Sequence, residues 1–597
     1  MCGISGVYNS LNKPINSRTI VEKIVKLQNS RGPDDQGIWQ SSCGRLCFGH
    51  NRLTIIDLSK KGRQPFISND KNYIITFNGE IYNFREIKKE LTDKNVIFKS
   101  NSDTEVIIES YKHWGLDFVK KLRGMFAFVI WDSIKKKLIL ARDPFGIKPL
   151  YYSKKNGIIY FASQVKSLLS IENISSSYSE AGITSYYLWG NLQDSLTLYK
   201  DIKSIDKGSC LIINNYGEEE KYIYADIKEK ILNSKTLSFK DDKEKTIYLK
   251  DAVDETVRYH QVSDVPLTIL LSSGIDSNTI LASINEKDKK NSSALTIDFR
   301  LKDKYNEVLL AKQSALMNNI HHSIEEISTS EFFPLLETFL QKMDLPTNDG
   351  FNNFLVSHLA KKNNSKIIVS GIGGDELFFG YPSFSLIPKI NKGLAFFPKS
   401  NLLNVFFRKS IYPILKRSFL KTKYAGIYEY GKNVSSAFLL IRSLFLPFEI
   451  KNMLSPDILE RGLEELNIVE NFEKDIKEIS DKKLSIMYLE IKYYLCSKLL
   501  RDADWTSMSH SIELRTPFVD WFFFSKVIPL IKSNNNFNKK NLLNCVQNKV
   551  PVELFSRKKT GFVIPHDRYL NTLSIKKEFA NPIRDWSIYI YKKYLNQ

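Results

Sequence analysis

Apolar and β-branched residues come in short runs along the first third of the chain. Runs at 73–77, 125–131, 137–141 and 157–162 are each punctuated by Gly, Asn or Asp. That density predicts a layered, sheet-rich domain over residues 1–205. From 206 to 245 the pattern fails: the acidic Glu218-Glu219-Glu220 and a charged run at 240–245 predict a linker. Beyond 246 the texture changes. Residues 251–260 carry a helical pattern, 267–271 are a continuous apolar run ending in SSGIDS, and 366–369 are a second run ending in SGIGGDE. Strands alternating with helices predict a parallel α/β domain over 246–565. Residues 384–500 read as largely helical without a motif, and 566–597 as a silent tail.

Composition narrows this only a little. The chain has 597 residues, 43% hydrophobic and 25% charged, which suits a soluble protein of two or three domains. No apolar run reaches the roughly 18 residues of a membrane span, and the start, MCGISGVYN, has no basic or long apolar stretch. The six cysteines are scattered without disulfide or zinc spacing. A cytoplasmic protein with no membrane partner is expected. The net charge of +20 could serve a nucleic-acid partner, as in an RNA-modifying ATP-pyrophosphatase. The lysines are spread along the whole chain, however, so no nucleic acid is expected. A near-match to a phosphate loop, GIYEYGKN at 426–433, has Asn433 where a hydroxyl is needed and no strand before it.

Cys2 is the first candidate for chemistry. Once the initiator methionine is removed, its thiol and α-amine share one residue, and an α-amine with a pKa near ~8 can act as its base. The segments CGISGVY, RGPDDQG, GHNRLTIIDLS, FNGEIYN, SDTE and ARDPFGIKPLYY follow in that order. Together they resemble the glutaminase half of the glutamine-hydrolysing asparagine synthetase family, class II amidotransferases with an N-terminal-nucleophile αββα sandwich. The resemblance implies that Cys2 attacks the amide of glutamine and that the Asn78 side chain and Gly79 N–H hold the oxyanion. It implies that Arg52 grips the α-carboxylate while Glu80 and Asp103 hold the α-ammonium. Taken alone, Asn78-Gly79 would instead read as a hairpin turn. Ser30 stands where the family usually has His.

The second candidate is the buried run ending in SSGIDS, where loop N–H groups and a helix start can cradle an anion. It resembles the SGGxDS loop of ATP pyrophosphatases. The resemblance implies ATP contacts from Leu271, Ser272, Ser273, Gly274, Asp276 and Ser277, and Mg²⁺ on Asp276. VSGIGGDELFFGY resembles the matching asparagine synthetase segment, which adds Ser370 and Gly371 for the nucleotide and Asp375 for the metal. Two further segments match, DADWTSMSHSIELRTPFVD and RKKTGF. The latter assigns Lys559 to the adenylated intermediate. The implied reaction is amide synthesis through an acyl-adenylate, with aspartate as first-choice acceptor, by a protein that could be a homodimer. One departure stands out: Ile372 replaces the acid many asparagine synthetases carry there. That leaves a sugar acid or other carboxylate as the rival acceptor, and Glu376 as a substitute proton carrier.

Overall fold

Strand runs in the first third pair into two antiparallel sheets. The computed structural model describes residues 1–11, 15–298, 307–398, 400–417, 421–534, 536–556, 570, 571, 573 and 575–596. One sheet runs Lys203–Ser204, Tyr151–Lys155, Ile158–Ala162, Gly3–Asn9, Leu46–Arg52, Asp35–Gln40. The other runs Glu219–Ile223, Ser209–Ile213, Lys137–Arg142, Gly124–Asp132, Tyr73–Ile81, Phe66–Ile67. Side chains alternate between the faces of a strand. Ile4, Phe48 and Phe161 of the first sheet therefore meet Ala127, Val129 and Leu140 of the second in a shared core. The helix Ser17–Leu27 covers one outer face, setting Val21 and Val25 among Val7 and Cys47. The helix Asp103–Trp114 covers the other, where Val106 and Ile107 join Phe77. This is the expected αββα sandwich.

The stretch read as a linker is not one throughout. Ser209–Ile213 and Glu219–Ile223 are strands that complete the second sheet. The last is an edge strand exposed along most of its length, so its residues are charged and imitate a linker.

The second domain is built on a parallel sheet ordered His321–Glu326, Ser292–Asp298, Leu267–Leu270, Ile367–Val369, Glu513–Arg515. Chain order reverses between Leu267–Leu270 and Ile367–Val369, and both motif loops leave the carboxyl ends of these two neighbours. A crevice at such a switch point is where open α/β sheets bind ligands. Helices surround the sheet, and Glu490–Leu499 is a π-helix. The segment read as a silent tail contains the helix Pro582–Leu595, which buries Trp586, Tyr591 and Tyr594. Tyr591 stacks on Tyr186 of the first domain at 4.6 Å. Tyr594 donates a hydrogen bond to the Asp344 carbonyl of the second domain at 3.0 Å. No described helix is long and apolar enough to cross a membrane.

Charged pairs buried between the domains tie the two halves together. Arg31 is fully enclosed and donates to both carboxylate oxygens of Asp504, at 2.9 and 3.3 Å, and to the Cys2 carbonyl at 3.1 Å. Arg123 pairs with Asp520 at 2.9 Å. Ser511 donates to the backbone carbonyl of Ser30 at 2.7 Å, a contact that the side chain at position 30 does not make. Arg31→Met would leave Asp504 buried with, among the described residues, only the cation of Lys148, 3.6 Å away. Stripping one partner from such a pair costs about 3 kcal/mol. A lowered unfolding midpoint is the expected result, and an unchanged midpoint in denaturant titration would remove Arg31 from the account.

Candidate active site

Cys2 precedes the strand Gly3–Asn9 and is buried. Its backbone N–H donates to Asn78 Oδ1 at 2.9 Å. That bond turns the Asn78 amide so that its Nδ2, also buried, has no partner among the described residues. An orphaned buried donor is costly, and one beside a nucleophile is placed to meet an incoming oxygen. Asn78 and Gly79 lie inside the strand Tyr73–Ile81, facing Ala127 and Phe126, so the hairpin-turn alternative does not hold. Gly79 has φ +151°, and a Cβ there would sit 2.1 Å from the Met125 carbonyl oxygen. No other residue fits without moving the neighbouring strand.

Arg52 ends the strand Leu46–Arg52. Its guanidinium donates to the Ser59 carbonyl at 3.0 Å and to that of Asp57. Gly62 makes room for it, since a Cβ at 62 would lie 2.4 Å from Arg52 Nη2. Asp103, at the start of its helix, accepts from the Ile81 N–H at 3.1 Å. Burial pushes the Asp103 carboxyl up to about 6, against the pull of the Ile81 and Thr104 amides. Glu80 is raised well above the usual range by burial, then by the carboxylates of Glu513 and Asp103. Its Oε2 also lacks a partner among the described residues. Cys2, Arg52, Asn78, Gly79, Glu80 and Asp103 therefore come together in one polar, enclosed region. Burial raises the Cys2 thiol above its ordinary value, with the amino-terminal ammonium opposing.

One contact that sequence reasoning left without a role crosses the domain boundary. The amino terminus, on a buried Met1, donates to Glu513 Oε2 at 3.0 Å, and both groups are fully enclosed. Burial alone would raise Glu513. The amino terminus and Arg515 outweigh that and hold it down to about 2. Arg515 Nε binds Glu513 at 2.6 Å, and Nη1 donates to the carbonyls of His260 and Val262.

In the second domain the first loop is held by its own side chains. Ser277 Oγ accepts from the Ser272 N–H at 3.2 Å, and Asn278 Nδ2 donates to the carbonyls of Ser272 and Gly274. Leu271 N–H is tied to Leu295 and Ser273 Oγ to Glu307. The helix Ile275–Ala282 starts at Gly274 with no side-chain cap. The second loop presses on the first through glycine. A Cβ at Gly371 would be 2.6 Å from Asp276 Cβ, and one at Gly374 would be 2.3 Å from Asp276 Oδ1. Ser370 N–H is fixed by the Arg515 carbonyl at 2.9 Å.

The Asp276 and Asp375 carboxylates converge on a cation that sequence reasoning missed. Lys539 Nζ binds Asp276 Oδ2 at 2.6 Å and also binds Asp375. Burial opposes the Lys539 charge, but the two carboxylates outweigh it and raise its pKa. Two carboxylates already sharing one cation are a donor pair suited to a hard ion that phosphate oxygens would complete. Glu376 is buried, and burial followed by the Asp375 charge lifts it to about 7. It accepts from the Tyr381 hydroxyl at 2.8 Å. Ile372 is half-buried against apolar neighbours. Lys559, with Arg557, Gly561 and Phe562, lies outside the described residues.

Comparison with known proteins agrees with this division. The glutamine amidotransferase domain family matches residues 1–224, and the asparagine synthase family matches 248–595. An asparagine synthetase [glutamine-hydrolyzing] 1 of Bacillus subtilis is 31% identical, covering 100% of this chain and 92% of its own. The amidase chry2 of Gibberella zeae is 27% identical over 95% of this chain and 89% of its own. The amidase chyE of Penicillium rubens is also 27% identical, over 95% of this chain and 89% of its own. An antiparallel sandwich holding Cys2 beside an orphaned amide, joined to a parallel sheet with paired loop carboxylates, is matched end to end by these families: the chain belongs to the glutamine-hydrolysing asparagine synthetase family.

Proposed function

We propose that the protein makes an amide from a carboxylic acid, ATP and glutamine, with aspartate as the acceptor and asparagine as the product. The observation that carries the two-centre reading is the strand Glu513–Arg515. At one end of the link, Glu513 binds the amino terminus of the untrimmed chain, one residue from Cys2. At the other, Arg515 pairs with Val369 and fixes Ser370 of the second loop. The glutaminase centre and the nucleotide crevice are thus neighbours across one buried strand.

In this reading, loss of Met1 gives Cys2 a free α-amine that takes the thiol proton as sulfur attacks the glutamine amide. Asn78 Nδ2 and the Gly79 N–H receive the developing oxyanion. Arg52 holds the α-carboxylate, while Glu80 and Asp103 hold the α-ammonium. Their raised pKa values describe the site without that cation, whose arrival favours both charged forms. In the crevice, the Ser273 N–H, the hydroxyls of Ser272 and Ser277, and the start of the helix Ile275–Ala282 cradle the phosphates of ATP. Lys539 is placed to meet pyrophosphate oxygens. Asp276 and Asp375 would hold Mg²⁺, which when bound neutralises phosphate charge. The acceptor carboxylate attacks the α-phosphorus, pyrophosphate leaves, and ammonia then displaces AMP from the acyl carbon. Keeping that ammonia inside the protein preserves its lone pair from protonation by water. Glu376, poised near neutrality, takes the proton role that Ile372 cannot, and Lys559 steadies the adenylate.

Ile372 and the amidase relatives favour a second reading, in which the same chemistry amidates another carboxylic acid. Acid-dependent exchange of labelled pyrophosphate into ATP separates the two. Aspartate is expected to support exchange above a no-acid control. Exchange with a uronic acid and none with aspartate would sink the first reading and keep the second.

A further inference from the structure

The positive charge of the chain is less even than a scan for basic clusters suggests. Residues 377–428 hold nine Lys or Arg and no Asp or Glu. The same segment holds a disproportionate share of the uncovered apolar surface. Of the large hydrophobic side chains exposed among the described residues, a third fall between residues 386 and 414.

The helix Asn401–Arg417 shows how this comes about. Its inner face is already engaged: Phe407 stacks on Tyr428 at 5.7 Å, Tyr412 meets Phe448 edge-on at 5.9 Å, and Arg408 pairs with Glu429. The outer face should then be polar. Instead it carries Leu402, Leu403, Val405, Phe406 and Ile414, with Leu402 83% and Phe406 71% exposed. Phe396, just before the helix, is 94% exposed. Lys409 and Lys416 lie on the same outer side, and Lys389, Lys392 and Lys421 are exposed nearby.

We propose that this face, the helix Asn401–Arg417 with the preceding Phe396, docks the protein onto an anionic lipid surface. Charge selects that occupant. Apolar side chains flanked by lysines, on a segment that itself carries no acid although Glu449 and Glu578 line the hollow beside Lys416 and Lys421, match the acyl boundary and headgroups of an anionic leaflet, where lysine stems extend to the phosphates. A second copy of the chain would set the same lysines face to face in a two-fold contact. A nucleic acid would meet the charge, but bases stack on aromatic rings and gain little from Leu402, Leu403, Val405 and Ile414. The helix lies on the surface rather than spanning it.

Sedimentation of the full chain with large unilamellar vesicles tests this. The vesicles are phosphatidylcholine alone, or phosphatidylcholine with about one third phosphatidylglycerol, at about 0.1 M salt. Wild type is expected to bind the anionic vesicles at least ~tenfold more tightly than the neutral ones. The exposed-site variants Phe396→Ser/Phe406→Ser and Lys409→Glu/Lys416→Glu should each lose at least ~tenfold while keeping the wild-type unfolding midpoint. Three outcomes would overturn the proposal. One is no binding by wild type. Another is binding that both variants retain. The third is failure on vesicles combined with either a dimer that Phe396→Ser/Phe406→Ser dissolves or retention of an RNA oligonucleotide.

Discussion

Cys2→Ala is expected to abolish glutamine hydrolysis and glutamine-dependent amide synthesis while leaving synthesis from ammonium salts close to wild type. Loss of an attacking atom leaves only the binding and oxyanion contributions. The expected fall is on the order of 10⁴-fold, or about 5 kcal/mol of barrier. Asn78→Ala keeps the nucleophile and removes one donor, so a loss of ~10²–10³-fold in the same assay is expected. The split between nitrogen sources is the informative readout, because the second centre does not use Cys2. Glutamate release measured beside ammonia-driven synthesis decides it. If Cys2→Ala still releases glutamate, the nucleophile is elsewhere. If ammonia-driven synthesis falls equally, the substitution has disturbed the fold rather than the chemistry.

Asp375→Asn should have the second largest effect, and in the opposite half of the reaction. Asp276 and Asp375 share the Lys539 ammonium between them. Asparagine keeps the size of the side chain but removes half of that negative charge. A hard ion beside phosphates then has one anionic protein oxygen fewer to bind. Pyrophosphate exchange into ATP is expected to fall by ~10²–10³-fold, with glutamine hydrolysis retained. Asp276→Asn should behave alike: Asp276 packs against Gly371 and Gly374 as Asp375 packs against Gly380, so the unfolding midpoint of each variant is the control that separates lost chemistry from lost packing. Exchange at the wild-type rate in Asp375→Asn would separate these carboxylates from the nucleotide.

The residues proposed for both centres were legible in the sequence because they sit in contiguous loops. CGISGVY, FNGEIYN, SSGIDS and SGIGGDE each deliver several groups from one stretch of chain. What escaped is of another kind. Lys539 belongs to no motif and its two partners lie far away in sequence, so no local signal marks it. Glu513, Asp504 and Asp520 were visible as matching positions. Their partners, the amino terminus, Arg31 and Arg123, are fixed only by how the domains meet. Glu219–Ile223 was misread because an exposed edge strand carries a linker's composition. Pro582–Leu595 was silent because its buried face mixes Trp586, Tyr591 and Tyr594 with Arg584, Asp585 and Ser587, whose polar atoms break an apolar periodicity. The acid-free stretch from 377 to 428 was diluted by a lysine-rich background.

The enclosed amino terminus sets an order of events in the life of the chain. Met1 is 1% exposed, and its ammonium is locked on Glu513, a residue synthesised more than five hundred positions later. A peptidase that must grip Met1 cannot reach it once the strand Glu513–Arg515 has docked. Under the proposed chemistry, maturation therefore belongs to the period of translation, before the second domain exists to close over the first. Chains that fold ahead of trimming would be trapped as an inert population, set apart from the active one by a single residue of mass and by the buried pair between Met1 and Glu513.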